Sequence, residues 1–297
     1  MSMTDITIVH HKANRDDHNH PPNTLAAIRA CLEAGVDWIE IDVTALKDGA
    51  DYLLTHDDVL EHETSGTGRV DTVTVDQART LTIKDRPDYP AALLSDVVAL
   101  FSNYDTQTRL QLDFKNVYPF STDAPLLRFL DIVEPLGERV HVSSPADWQL
   151  RRLKHFAPWL DVGFEIMFYF DLRSPKQVYD PPHPPYLLGA FGYYDDSLLA
   201  REAIWTEAAY LRDRCTTLLH QVPGISTLYV HHKILARSLD ADFNWAQAAQ
   251  AADVKLSTWT LDVDNPVAVA NAPRLRDAGV IQFTSNTPLA LAKLLSE

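Results

Sequence analysis

Residues 38–46 read WIEIDVTAL and residues 109–115 read RLQLDFK. Both are short, apolar, β-branched or aromatic runs of the kind that form strands. Each also carries charged residues two positions apart: Glu40 and Asp42 in the first, Asp113 and Lys115 in the second. Side chains two apart on a strand share a face. An apolar strand does not keep two carboxylates on one face unless something offsets their repulsion and their loss of water.

Outward from these runs, strands and helical patterns alternate almost from end to end, the signature of βα units on a parallel sheet. The strands are expected at 6–11, 38–46, 109–115, 139–144, 161–167, 225–232, 255–262 and 280–285, with residues 51–57 extending the second. Helical stretches fall at about 22–35, 75–82, 91–103, 123–136, 146–156, 244–252, 266–278 and 288–296. Gly35 and Gly279 stand where the first and next-to-last helices stop. Eight strands in this alternation predict a (β/α)₈ TIM barrel, an α/β fold, rather than a doubly wound sheet. The chain's 297 residues suit one such barrel as a single domain.

One connection departs from the pattern. The stretch 172–196, LRSPKQVYDPPHPPYLLGAFGYYDD counted from Leu172, is rich in Pro and Tyr and too long for an ordinary loop after a fifth strand. Its place at a strand C-terminus, the catalytic face of such barrels, suggests a lid or substrate wall rather than a rigid surface excursion.

Composition narrows the function. The net charge of −15 repels polyanions, so nucleic acid is excluded as a partner. A phosphate-bearing substrate then needs a local cation, a bound metal or a placed lysine. No run approaches the roughly 20 apolar residues of a membrane span, so no stable membrane insertion is expected. The start, MSMTDITIVHH, lacks the basic and apolar regions of a signal peptide. Two distant cysteines, Cys31 and Cys215, read as reduced core thiols of a cytoplasmic protein.

The polar residues within the strands carry the chemistry. Glu40 and Asp42 with Asp113 make a three-oxygen site that leaves room for water and substrate, as Mg²⁺ prefers and as Ca²⁺ accepts. Either strand alone would fit a buried ion pair such as Asp113 with Lys115. Two such strands side by side point to one divalent cation. His10 and His11 end the first strand, and His56 ends the extension of the second. A histidine at each of two strand ends beside carboxylates suits acid–base catalysis near neutral pH. His231 and His232, at the end of the sixth strand, are second-rank candidates. His20, His62, His155, His183 and His220 read as structural.

The stretch from IVHHKAN at residue 8 to Gly68 resembles the N-terminal signature of the glycerophosphodiester phosphodiesterase family. His11 takes the first catalytic histidine, and Asn23-Thr24 the family's Asn-Thr. Glu40 and Asp42 take its metal-binding pair. Lys47-Asp48-Gly49, His56-Asp57 and Thr64-Ser65-Gly66 follow at the family spacing. Later, LQLDFK matches the third-strand acid-x-Lys, STWTLD the Trp-Thr segment, and FTSNTP the place of Thr-Asp-x-Pro. The resemblance implies a small phosphodiester substrate, one divalent cation on Glu40, Asp42 and Asp113, and acid–base work shared by His11 and His56. It puts Lys12 and Lys115 on phosphate and Trp259 at the substrate pocket.

Four positions depart from the family pattern. Lys12 replaces an Arg, giving phosphate a point charge in place of a bidentate fork. Ala13 replaces a Gly, Pro22 a Glu, and Asp113 a Glu. The last is also the acid found in the related spider-venom phospholipase D barrels. Three readings stay open here: cleavage of glycerophosphodiesters, phospholipase D-like cleavage of a lysolipid or another phosphodiester, and a barrel that binds phosphodiesters without turnover.

Overall fold

Eight parallel strands close into a barrel in the computed structural model, which describes residues 6–16, 19–169 and 206–296. They are β1 (Thr7–His10), β2 (Trp38–Ala45), β3 (Arg109–Phe114), β4 (Val140–Ser144), β5 (Asp161–Glu165), β6 (Thr227–His231), β7 (Lys255–Trp259) and β8 (Gln282–Ser285). Each pairs in parallel with its neighbours in chain order. The ring is closed by β8 on β1 and by the pairing of His10 with Ile39 between β1 and β2.

Around the ring lie α1 (Leu25–Glu33), α2 (Val75–Ala78), α3 (Leu94–Phe101), α4 (Ala124–Val133), α5 (Asp147–Phe156), α6 (Glu207–Gln221), α7 (His232–Asp240), α8 (Trp245–Ala251), α9 (Pro266–Asp277) and α10 (Pro288–Ser296). Their starts follow local chemistry. Thr24 caps α1 by accepting from the Ala27 N–H, and Asn244 and Asn265 cap α8 and α9 in the same way. Pro266 then opens α9, where its missing N–H costs nothing. No helix among the described residues is long and apolar enough to cross a membrane.

Strand parity sorts the side chains. Ile39, Ile41 and Val43 of β2, and Leu110, Leu112 and Phe114 of β3, are fully buried in the layer shared with the helices. The alternate positions turn inward, and there the barrel is polar. Its floor holds a connected set. His141 lies 2.9 Å from the Tyr229 hydroxyl and 3.1 Å from Asp161, and Arg109 pairs with Asp161 at 2.5 Å. Gly163 makes room for this set, because a Cβ there would fall against the Tyr229 ring and 2.7 Å from His141 Nε2.

The extension that carries His56 is anchored from outside the ring. Tyr52–Leu53 pairs antiparallel with Thr44 and Ala45. The Tyr52 ring packs edge-on against Phe114 and Phe129 at 5.2 Å, and its hydroxyl donates to the Pro125 carbonyl at 2.7 Å. Buried rings of this size contribute on the order of 2 kcal/mol each. Gly49 takes the turn before it at φ +64, with the Pro125 Cα only 2.7 Å from where a Cβ would sit, so no other residue fits.

The expected elements and the observed ones differ in several places. The predicted helix 75–82 ends at Ala78, and Thr82–Ile83 pairs with Arg86–Pro90 as a small hairpin. The sixth strand stops at His231, and His232 begins α7, which the sequence reading lacked along with α6. The stretch 172–196, read as a lid, and His183 within it lie outside the described residues.

Candidate active site

The register of β2 on β3 sets the centre of the site. Asp42 stands beside Asp113 and Glu40 beside Gln111, so parity and register together bring three carboxylates to one level inside the barrel. Ligand atoms of Glu40, Asp42 and Asp113 lie within 4.8 Å of one another. Asp42 is fully buried and Glu40 nearly so.

Two lysines lean into this cluster. Lys115 Nζ is 2.5 Å from Asp113 Oδ2 and 2.9 Å from Asp42 Oδ1. Lys12 Nζ is 3.1 Å from Asp42 Oδ2 and 3.5 Å from Glu63 Oε1. Lys12 itself sits in the left-handed region at φ 53, which lets its N–H donate to Glu40 Oε2 at 2.9 Å. Asn23 clamps the far side, its amide donating to Asp42 Oδ2 at 2.9 Å. That role accounts for Asn23 in the Asn-Thr pair, as the α1 cap accounts for Thr24.

The electrostatics follow from this crowding. Burial, then Asp42 and Asp113, push the Glu40 carboxyl well above the ordinary carboxylate range. Burial acts the same way on Asp42, but the ammonium groups of Lys115 and Lys12 outweigh it and hold Asp42 well below that range. Burial would lower Lys115, yet Asp113, Asp42 and Glu40 raise it well above the usual lysine value.

The donor set fits a hard divalent cation. Three carboxyl groups face two ammonium groups, and the crowding of acids that pushes Glu40 up is what a bound cation would relieve. Asp42 Oδ1 is buried and lacks a hydrogen bond of good geometry among the described residues, although Lys115 lies 2.9 Å away. All-oxygen ligation at one open mouth suits such an ion.

Both expected histidines reach the same cavity, a hollow of about 530 Å³ at the C-terminal ends of the strands. His11 Nδ1 bonds Asn286 Oδ1 at 2.7 Å, and its Nε2 is 3.9 Å from Glu40 Oε2. Burial pulls the His11 pKa down, with Asp42 opposing. His56 is exposed. Its N–H donates to Glu63 Oε2 at 2.6 Å, and its Nδ1 is 2.8 Å from Asp57 Oδ1. His10, on the opposite parity, turns away and bonds the Asn14 carbonyl at 2.6 Å.

Trp259 lines the cavity, its indole N–H buried without a partner among the described residues. The second-rank histidines do not line it. His231 caps α7 and packs edge-on against Trp259, while His232 is buried on Asn271. Pro22 is exposed.

Several cavity residues escaped the sequence reading: Gln111, Ser143, Glu165 and Tyr229. So did Glu63, which holds Lys12, Thr55 and the His56 backbone at once. Strand parity was a signal for Gln111, two before Asp113, and for Glu165 at the end of DVGFE. Nothing local marks Ser143 or Tyr229, whose places depend on closure of the barrel.

The family model described as the Glycerophosphoryl diester phosphodiesterase family matches residues 11–167. A glycerophosphodiester phosphodiesterase of Caldanaerobacter subterraneus subsp. tengcongensis is 29% identical over 178 residues, spanning 58% of this chain and 70% of that protein. The human glycerophosphodiester phosphodiesterase 1 is 33% identical over 107 residues, which is 34% of this chain and 31% of that relative. Among solved structures, an Oleispira antarctica phosphodiesterase in complex with the product sn-glycerol-3-phosphate superposes with TM-score 0.63 at 16% identity, covering 99% of this chain and 98% of that one. A glycerophosphodiester phosphodiesterase from Agrobacterium tumefaciens gives 0.62 at 17%, covering 98% and 100%. At such identities the superpositions establish the fold. The family match and the sequence relatives carry the chemical class, phosphoric diester hydrolysis: the chain belongs to the glycerophosphoryl diester phosphodiesterase family.

Proposed function

We propose that the chain hydrolyses glycerophosphodiesters to glycerol 3-phosphate and an alcohol, using one divalent cation, Mg²⁺ or Ca²⁺, with His11 and His56 as its acid–base pair. One observation carries the reading: the carboxylates of Glu40, Asp42 and Asp113 converge within 4.8 Å in the cavity that both histidines and both lysines line or border.

Glu40, Asp42 and Asp113 would hold the ion. When bound there, a divalent cation supplies Lewis-acid neutralisation of phosphate charge. Lys12 and Lys115 are within reach to turn toward phosphate once their carboxylate partners are engaged, adding positive charge where negative charge builds. His11 is read as the base. Asn286 Oδ1 accepts from Nδ1, which leaves the Nε2 lone pair facing the cavity to take a proton from the attacking oxygen. His56 is read as the acid, its ring lining the cavity and its Nδ1 held by the Asp57 carboxylate at 2.8 Å. It would hand its proton to the leaving alcohol. Trp259 offers an apolar wall for substrate.

The phospholipase D-like reading depends on an apolar cover over the site, and the stretch 172–196 lies outside the described residues. The presence of both histidines and all three acids speaks against a barrel without turnover. Buried thiols at Cys31 and Cys215 support a cytoplasmic protein, and the whole chain is read as one domain.

The test is a panel of phosphodiesters incubated with the purified chain and Mg²⁺, Ca²⁺ or Mn²⁺, with glycerol 3-phosphate measured enzymatically. Release from at least one glycerophosphodiester is expected. Release from none of them, with any of the metals, would sink the reading.

A further inference from the structure

We infer that Glu165 forms a subsite for a positively charged alcohol, so that the cavity selects diesters whose leaving alcohol carries an ammonium group. This rests on the phosphodiesterase reading above and deepens it.

Glu165 ends β5, which lies four strands from β1 in either direction around the barrel. It therefore faces His11 across the cavity. Its parity with Asp161 and Gly163 turns it inward, and it lines the hollow. A diester held by its phosphate on the β1–β2 side extends one arm toward β5.

The carboxyl waiting there differs from the other acids of the site. Asp42 is paired with Lys12 and Lys115, Asp113 with Lys115, and Glu63 with Lys12, while Glu40 has His11 at 3.9 Å. Glu165 accepts only the Met167 N–H at 3.1 Å, and among the described residues no Lys, Arg or His lies within 4.0 Å of its carboxylate. Nor does it join the three-carboxylate cluster. Burial, then Asp113, raise its pKa to about 7 against the smaller opposing pull of the Met167 N–H and Lys115.

Part of the cavity wall is apolar and polarisable. Met167, Phe168 and Trp259 line the same cavity, with Phe168 and Val117 exposed at 45% and 40%. A carboxylate that shares a cavity with aromatic and thioether groups is the chemistry that recognises alkylammonium ions. A neutral polyol would leave the acid unpaired. Glycerol carries no charge, so the arm that reaches Glu165 must be the alcohol.

The experiment compares Glu165→Gln with wild type in two ways. The first is kcat/KM on glycerophosphocholine and on glycerophosphoglycerol, whose alcohol is neutral. The variant should lose about 10-fold or more on the choline diester and change less than about 3-fold on the neutral one. Equal losses on both, or none on the choline diester, would overturn the subsite. The second is calorimetric binding of choline against its uncharged carbon isostere, 3,3-dimethyl-1-butanol, which needs no turnover. Wild type should bind choline about 10-fold or more tightly than the isostere, and Glu165→Gln should lose that margin. Equal binding of the two by wild type overturns the subsite even where the variant fails to fold. Choline preference without hydrolysis of either diester would strike the phosphodiesterase reading and leave the subsite standing.

Discussion

Asn286 and His11 meet where the barrel closes, just past β8 and β1, with Asn286 Oδ1 2.7 Å from His11 Nδ1. The amide cannot be turned round, because its Nδ2 donates to Asp262 Oδ2 at 2.9 Å. The proton of a neutral His11 is thus held on Nδ1, and Nε2 is left to accept. Removing this second partner should cost catalysis without dismantling the site.

Asn286→Ala is accordingly expected to lower kcat by about 10–100-fold while KM changes little. Steady-state kinetics checks this, with circular dichroism to verify the fold. An unchanged kcat would mean the tautomer is set elsewhere.

The two histidines should behave as a unit. Loss of either His11 or His56 is expected to cost about 10²–10⁴-fold, and the double variant hardly more than the worse single one. A p-nitrophenyl diester, whose leaving group needs no proton, should rescue His56→Ala and not His11→Ala. His10→Ala is the internal control. Its ring bonds the Asn14 carbonyl outside the cavity, so turnover should fall only mildly. A severe loss at His10 with little at His11 would reverse the assignment.

Gly163→Ala tests the packed floor of the barrel. The added methyl meets Tyr229 and His141, both buried on other strands. A destabilisation of about 1–3 kcal/mol is expected in denaturant titration. A neutral result would show that the Tyr229–His141 pair moves aside freely.

His232 should shape stability on the acid side. Burial first, then His231 and Lys233, lower its pKa to about 4 in the fold, against about 6.5 in the unfolded chain. The fold therefore favours the neutral ring. That contribution is complete above pH 6.5 and is lost as pH falls from there toward 4. Between pH 7 and pH 5 it should remove on the order of 1 kcal/mol, and no more than about 2. His232→Gln should flatten this part of the pH–stability curve. An identical slope in the variant would assign the acid sensitivity to other groups.

Much of this site was legible in the sequence because strand parity is a local property. Glu40 and Asp42 share a face by spacing alone, and Asp113 joins them through a register that the order of the strands dictates. His11 and His56 were legible by the same logic, as polar ends of apolar runs. What escaped depends on contacts across the barrel. Glu63 reaches Lys12 from a loop 51 residues away, and Asn286 reaches His11 over 275 residues. Neither has a local pattern that names its partner. The boundary at His231 was missed because its side chain caps a helix, and a histidine rarely signals a cap.

The central claim is that phosphodiester cleavage here needs a divalent cation on Glu40, Asp42 and Asp113. The direct measurement is the rate of glycerol 3-phosphate release after exhaustive chelation, then after adding back a single cation, for wild type and for Asp42→Asn. The account predicts that chelation abolishes the wild-type rate, that Mg²⁺ or Ca²⁺ restores it, and that the folded Asp42→Asn protein is not restored at the same concentration. Full wild-type activity in excess chelator would contradict it.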